Sequence, residues 1–164
     1  MRVYLPATIL LLARLEKDGE IQLPTGFAVT ETLRSWYAEG DEEELEYAAL
    51  SAAARTSLRL LVAAPEAPRR RVVVAADVPD SRVSVPGSVS GTVEPGVISV
   101  TGPVGLVDIA SLHVDEAGAE ESVIAAVRAL PAADTGDDDA QFTADAVEDF
   151  DLLWYAAQEL RDLT

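Results

Sequence analysis

The run Val72-Val73-Val74-Ala75-Ala76 constrains the fold of this chain more than any other feature. Side chains of a strand alternate between the two faces of its sheet, and here neither set is polar. Such a strand belongs in the middle of a sheet with apolar cover on both sides. Arg71 to Val78 is therefore read as a central strand. The chain can supply that cover, because 49% of its 164 residues are hydrophobic. That length suits a single domain over residues 1–164 and buries a core without help from disulfides or metals.

The clearest local signal lies upstream of this strand. Asp41 and Glu44 stand at capping-box spacing, and Glu42, Glu43 and Glu44 fall in the first turn, where the helix dipole favours anions. This helix reads to about Ala64 and ends at Pro65 and Pro68. Its inward stripe reads Tyr47, Leu50, Ala54, Leu58 and Leu61, with Glu44, Ser51, Arg55 and Arg59 on another face. Nearer the N-terminus, Val3-Tyr4-Leu5 reads as a strand, with Pro6 opening a helix that runs to Lys17 and is capped by Gly19. Phe27-Ala28-Val29 is a second strand, and Thr30 caps a helix holding Leu33, Trp36 and Tyr37. The first β-α-β is expected to be a right-handed parallel crossover.

Val97 to Val100 and Ala110 to Val114 read as strands, and Glu120 to Leu130 as a helix. Residues 79–96, with Gly87, Gly91 and Pro95-Gly96, form an irregular Gly/Pro-rich excursion. Residues 131–142 read as an acidic loop. Thr143 then caps a last helix with Val147, Phe150, Leu153, Trp154, Ala157 and Leu160 inward and Tyr155 at the rim. The element order β-α-β-α-α-β-β-β-α-α gives an α+β fold, a small mixed sheet of about five strands packed by about five helices.

Charge excludes several classes of partner. The chain has 29 Asp+Glu against 12 Lys+Arg, a net of −17. Nucleic acid and anionic membrane are not expected partners, since both are bound by cationic neutralisation. With no cysteine and one histidine, thiolate chemistry and two-histidine metal sites are out, and no cofactor is expected. Absence of cysteine fits a cytoplasmic protein. The apolar stretch Val3 to Ala13 is too short to span a bilayer and is followed at once by Arg14, Glu16, Lys17 and Asp18.

Taken together, Trp36 to Tyr47, Arg70 to Asp77, Gly136 to Phe142 and Leu153 to Leu160 resemble an uncharacterised family of small actinobacterial proteins, a domain of unknown function. The resemblance runs from Met1-Arg2-Val3-Tyr4-Leu5-Pro6 to the last helix. It implies an intracellular bacterial origin and carries no established activity.

Several residue sets suggest chemistry. Ser111, His113 and Asp115 alternate on one strand face, but residues two apart sit roughly 6.5–7 Å apart at Cα, too far for a triad, whose members come from different elements. Asp134-Thr135-Gly136 matches the aspartic-protease tripeptide but follows Pro131-Ala132-Ala133 rather than an apolar strand, and its second aspartate would have to come from another copy. Asp134, Asp137, Asp138 and Asp139 lack the register of a calcium loop. They read as solvated surface or, with Tyr155, as a docking patch for a basic protein partner. Arg69, Arg70 and Arg71 form the basic cluster, read as internal salt bridges or an anion site at the strand edge. Asp77, His113, Asp115 and Glu116 stand at expected strand ends, where α/β sheets bind ligands. No metal site is expected.

Two functional readings follow. Residues 111–164 hold 14 acids and 2 bases, a field that steers a basic partner. This favours a non-enzymatic cytoplasmic binding or regulatory protein. The alternative is a cation-dependent enzyme using the carboxylates at strand ends.

Overall fold

The computed structural model describes residues 1–87 and 93–164. Its elements in chain order are β1 (Arg2–Ala7), α1 (Ile9–Asp18), β2 (Glu20–Ile21), β3 (Thr25–Phe27), α2 (Glu31–Trp36), α3 (Glu42–Ala63), β4 (Val72–Asp77), β5 (Val83–Ser84), β6 (Val97–Val100), β7 (Val104–Gly105), β8 (Ile109–Asp115), α4 (Glu120–Asp134), α5 (Asp138–Asp145), β9 (Leu152–Ala156) and α6 (Leu160–Leu163). Seven strands form one antiparallel sheet in the order β5-β6-β3-β1-β4-β8-β9, and β2 pairs with β7 apart from it. The fold is α+β, with a larger sheet than the expected five strands.

β4 lies inside the sheet, between β1 and β8. Val72, Val74 and Ala76 enter one core with Leu5, Leu112, Val114 and the inner faces of α1 and α6. Val73 and Ala75 enter the other with Tyr4, Phe27 and the alanine-rich face of α3. Burial of five consecutive apolar residues on two faces is the physical reason the molecule has helices on both sides of its sheet. A third cluster joins the C-terminal half of α3 to α4, through Leu58, Leu61, Val123, Ala126 and Leu130.

The caps read from sequence are present. The Asp41 carboxylate accepts from Glu44 N at 2.9 Å, and the Glu44 carboxylate accepts from Asp41 N at 3.0 Å. Thr30 caps α2 by accepting from Leu33 N at 3.2 Å. Gly19 closes α1 in the left-handed conformation at φ 79°, which costs an L-residue strain and glycine nothing.

Long-range decisions overturn other expectations. The first β-α-β is not a parallel crossover, because β3 runs antiparallel to β1 with Tyr4 opposite Phe27. Between α1 and β3 the chain inserts β2, which pairs with β7 outside the main sheet. Pro6 does not open a helix. It lies in β1, and Thr8 caps α1. Met1 and Val78 exchange both of their backbone hydrogen bonds, so odd-numbered residues of β1 turn their N–H toward β4. Pro6 therefore faces the opposite side, beyond the Tyr4–Phe27 pair, where its missing donor breaks no ladder.

The 131–142 acidic loop is mostly helix. α4 continues through Pro131 to Asp134, and α5 begins at Asp138. Asp137 accepts from Ala140 N at 2.9 Å as the α5 cap, and Asp138 and Asp139 fill the first turn. These carboxylates serve the α5 N-terminus and lie exposed at the surface, in line with the solvated reading. The Thr143 helix is also replaced: α5 ends at Asp145, a 3-10 turn spans Ala146–Asp149, and Leu152–Ala156 is the edge strand β9. Trp154 is 62% exposed rather than core. Of the 79–96 excursion, residues 88–92 lie outside the described residues. Before them Asp80–Arg82 form a 3-10 turn, and β5 pairs with β6.

Candidate functional site

α2 ends where Tyr37 N donates to Leu33 O at 3.1 Å, and Gly40 N then closes a turn onto Tyr37 O at 3.0 Å. This turn sets Tyr37 and Glu39 beside the first turns of α3. Tyr47 was expected inward, yet it is 60% exposed. The buried stripe of α3 runs instead through Leu45, Ala49, Ala52, Ala53, Ser57, Leu58 and Leu61. Small alanines bring the helix close to the sheet, and the bulky tyrosine one turn away is turned outward.

Facing α3 is the segment Glu148–Leu152, which leads into β9. It is held by Arg71, whose Nη2 donates to Phe150 O at 2.9 Å. Between these walls lies an open cleft of about 1060 Å³. Tyr37, Tyr47, Leu50, Phe150 and Leu152 give it apolar surface, and Glu39, Asp41, Glu43, Glu44, Glu148 and Asp151 give it carboxylates. Arg55 and Arg71 also line it. Both are already paired. Arg55 contacts Glu94 at 3.1 Å and Glu148 at 3.6 Å.

Arg71 and Asp115 form a buried ion pair, with side chains 4% and 0% exposed. Arg71 Nε donates to Asp115 Oδ2 at 2.8 Å and Nη2 to Oδ1 at 2.7 Å, and Arg71 N adds a third bond to Oδ2 at 2.8 Å. The fork geometry uses both carboxylate oxygens. The rest of the basic cluster is spent on backbone: Arg69 donates to Leu61 O and Pro65 O, and Arg70 to Asp115 O. These three guanidinium groups all have internal partners.

The expected strand-end set is not assembled. β4 and β8 are antiparallel, so their carboxyl ends lie at opposite ends of the sheet. Asp77 pairs with Arg2 at one end, at 2.7 Å, and that bond holds its carboxyl below the usual range. Asp115 is sealed by Arg71 at the other. His113 stands between them, its Nε2 3.0 Å from Ser111 Oγ. Burial, with the charge of Arg2 adding a smaller effect, pushes its pKa down and so favours the neutral ring. Asp115 does not join these two, as it faces Arg71. Among the described residues no group of three or more His, Asp or Glu side chains is placed to hold a metal ion.

In the expected acidic patch, Asp134 and Asp137 have partners within the protein. Asp134 receives two bonds of 3.0 Å from Arg59, which hold its carboxyl below the usual range. Asp137 caps α5. Tyr155 is half-buried against the core beneath α1 and α6. The cleft residues Tyr47, Glu148 and Asp151 carried no functional signal in sequence.

The whole chain, residues 1–164, matches the model of the Family of unknown function (DUF6912). The chain belongs to that family. No curated protein and no solved structure matches it. Among the described residues no helix is long and apolar enough to cross a membrane.

Proposed function

We propose that this chain is a non-enzymatic cytoplasmic binding protein that receives a basic segment of a protein partner in the cleft between α3 and Glu148–Leu152. One observation carries the reading: six carboxylates line the cleft against two arginines, and both arginines are already paired within the protein. A lysine or arginine side chain entering there gains charge complementarity and the faces of Tyr37 and Tyr47, a pairing that favours cations. The net charge of −17 adds long-range attraction for the same partner.

The test is fluorescence anisotropy with a labelled oligo-lysine peptide, with oligo-glutamate as the control. Binding is expected for the basic peptide alone and to weaken as salt rises. The double change Glu43→Gln with Asp151→Asn is expected to lower affinity by about tenfold, about 1.4 kcal/mol. Equal binding of both peptides, or affinity indifferent to the cleft changes, would overturn the reading.

A further inference from the structure

β9 is the last strand of the seven-stranded sheet, and among the described residues β8 is its one substantial neighbour. Which of its backbone groups stay open follows from the ladder. Asp115 N donates to Arg71 O at 3.1 Å, so odd-numbered residues at this end of β8 face β4 and even-numbered ones face β9. Val114 and Leu112 stand opposite Leu153 and Tyr155. Those two residues of β9 therefore bond to β8, and Leu152, Trp154 and Ala156 turn their N–H and C=O outward. Ala156 agrees independently, because its N–H is taken by Glu159 Oε2 at 2.7 Å. The open edge thus consists of the N–H and C=O groups of Leu152 and Trp154.

Among the described residues no lysine, proline or bulge protects Leu152 and Trp154, and Glu159 caps only the Ala156 end. Long exposed edges are normally blunted by lysine, proline, a bulge or a covering loop. Residues 152–156 are Leu, Leu, Trp, Tyr and Ala, and Leu153 and Trp154 are 43% and 62% exposed. An edge of this kind is a template for pairing with another strand.

We infer that a second copy of this chain covers it: two β9 strands pair antiparallel about a two-fold axis at Leu153, joining two seven-stranded sheets into one. In this register Leu152 of each copy exchanges two hydrogen bonds with Trp154 of the other. All four open groups on each edge are then satisfied, and Ala156 is left to its own cap. Leu153 meets its counterpart across the axis. On the other face Trp154 lies against the partner's Leu152, an aromatic–aliphatic cross-strand pair. Asp151 falls opposite Tyr155, so no two carboxylates within residues 151–155 oppose each other. An isologous pair also closes on itself, which an open edge otherwise does not. Leu152 lines the cleft, so each copy's Trp154 reaches the rim of the other's cleft.

A five-residue strand pair is smaller than the roughly 1,600 Å² of a standard interface, and both chains are strongly anionic. The dimer is therefore weak and tightens as salt rises, opposite in sign to binding of a basic peptide. The two readings thus fail separately.

The test is sedimentation equilibrium from micromolar to sub-millimolar protein at low and high salt, together with cysteine cross-linking. The wild type is expected to approach twice 17.4 kDa, more readily at high salt. Trp154→Pro removes one outward N–H and no β8 bond, and is expected to be monomeric with an unchanged circular dichroism spectrum. The chain has no cysteine, so Leu153→Cys is a clean probe. Its sulfurs would sit on a non-hydrogen-bonded pair with Cα atoms about 4.5 Å apart, within disulfide reach, and it is expected to form a cross-linked dimer under mild oxidation. Tyr155→Cys, four residues out of register with its own copy, is expected not to. A wild type that stays monomeric at every concentration and salt, with no Leu153→Cys cross-link, overturns the inference. Cross-linking at Tyr155→Cys instead overturns the register. A monomer whose binding of oligo-lysine is lost in Trp154→Pro would assign the edge to a basic strand rather than to a second copy.

Discussion

The two ends of β4 carry the same chemistry in different surroundings. At one end Arg71 forks onto Asp115 with both side chains almost wholly out of water. At the other Arg2 forks onto Asp77, through bonds of 2.7 and 3.1 Å, with side chains 42% and 61% exposed. Both pairs tie β4 to a neighbouring strand. The fork is similar in both, but Asp115 also accepts from Arg71 N and Arg71 Nη2 also donates to Phe150 O, so the pairs differ in partners as well as in solvent. In water the attraction is screened and the desolvation cost is small, whereas in the interior both are large.

The strongest way to break the comparison is Asp115→Ala. It leaves a buried guanidinium without its counter-charge, and the expected cost is about 3–5 kcal/mol in urea unfolding at pH 7. A loss below about 1 kcal/mol would place Arg71 in solvent. The double change Arg71→Met with Asp115→Leu sharpens the point. It removes both charges and their desolvation penalty together, and is expected to cost less than Asp115→Ala alone.

Next in size is Ser57, which serves the buried end without carrying charge. Its hydroxyl donates to Ala7 O at 2.7 Å and accepts from Val72 N at 2.9 Å, linking α3 to β1 and β4. Ser57→Ala removes the partner of two buried backbone groups and is expected to cost about 1–3 kcal/mol by the same melts. A neutral result would mean that the two strands close directly on each other.

Asp77→Ala has the smallest expected effect, at most about 1 kcal/mol after screening, and less in high salt. Its pH dependence has a definite sign. The Arg2 hydrogen bond lowers the Asp77 pKa in the folded state, so the folded protein binds the proton less readily than the unfolded chain. The contribution is full above the unfolded value of about 3.9 and is lost as pH falls through the lower folded value. Comparing acid unfolding of wild type and Asp77→Ala from pH 6 downward checks this: the two curves are expected to converge below about pH 4.

A further contrast lies between α3 and β9. The start of α3 was legible because its signal is local. Asp41 caps and Glu44 reciprocates within three residues, and no distant contact is needed to place them. From sequence alone β9 reads as helix because Leu153, Trp154, Ala157 and Leu160 also fit a helical stripe, and no glycine or proline interrupts residues 137–164. A five-residue apolar segment satisfies both periods. Pairing with β8, forty residues earlier in the chain, decided between them. The cleft was hidden for the same reason, since Tyr47 and Asp151 come to line one cleft only once β9 is a strand.

By itself the sequence determined the features whose energetics are settled within a turn or along one strand. These are the capping of α2 and α3, the glycine end of α1, and the two-sided burial of Val72–Ala76. Tertiary structure alone decided the direction of β3, the placing of β9 at the sheet edge, the union of Arg71 with Asp115 across 44 residues, and the separation of Asp77 from Asp115. Strand direction and long-range ion pairs depend on which distant segments are adjacent. That adjacency is set by the balance of the whole core rather than by any residue's own preference.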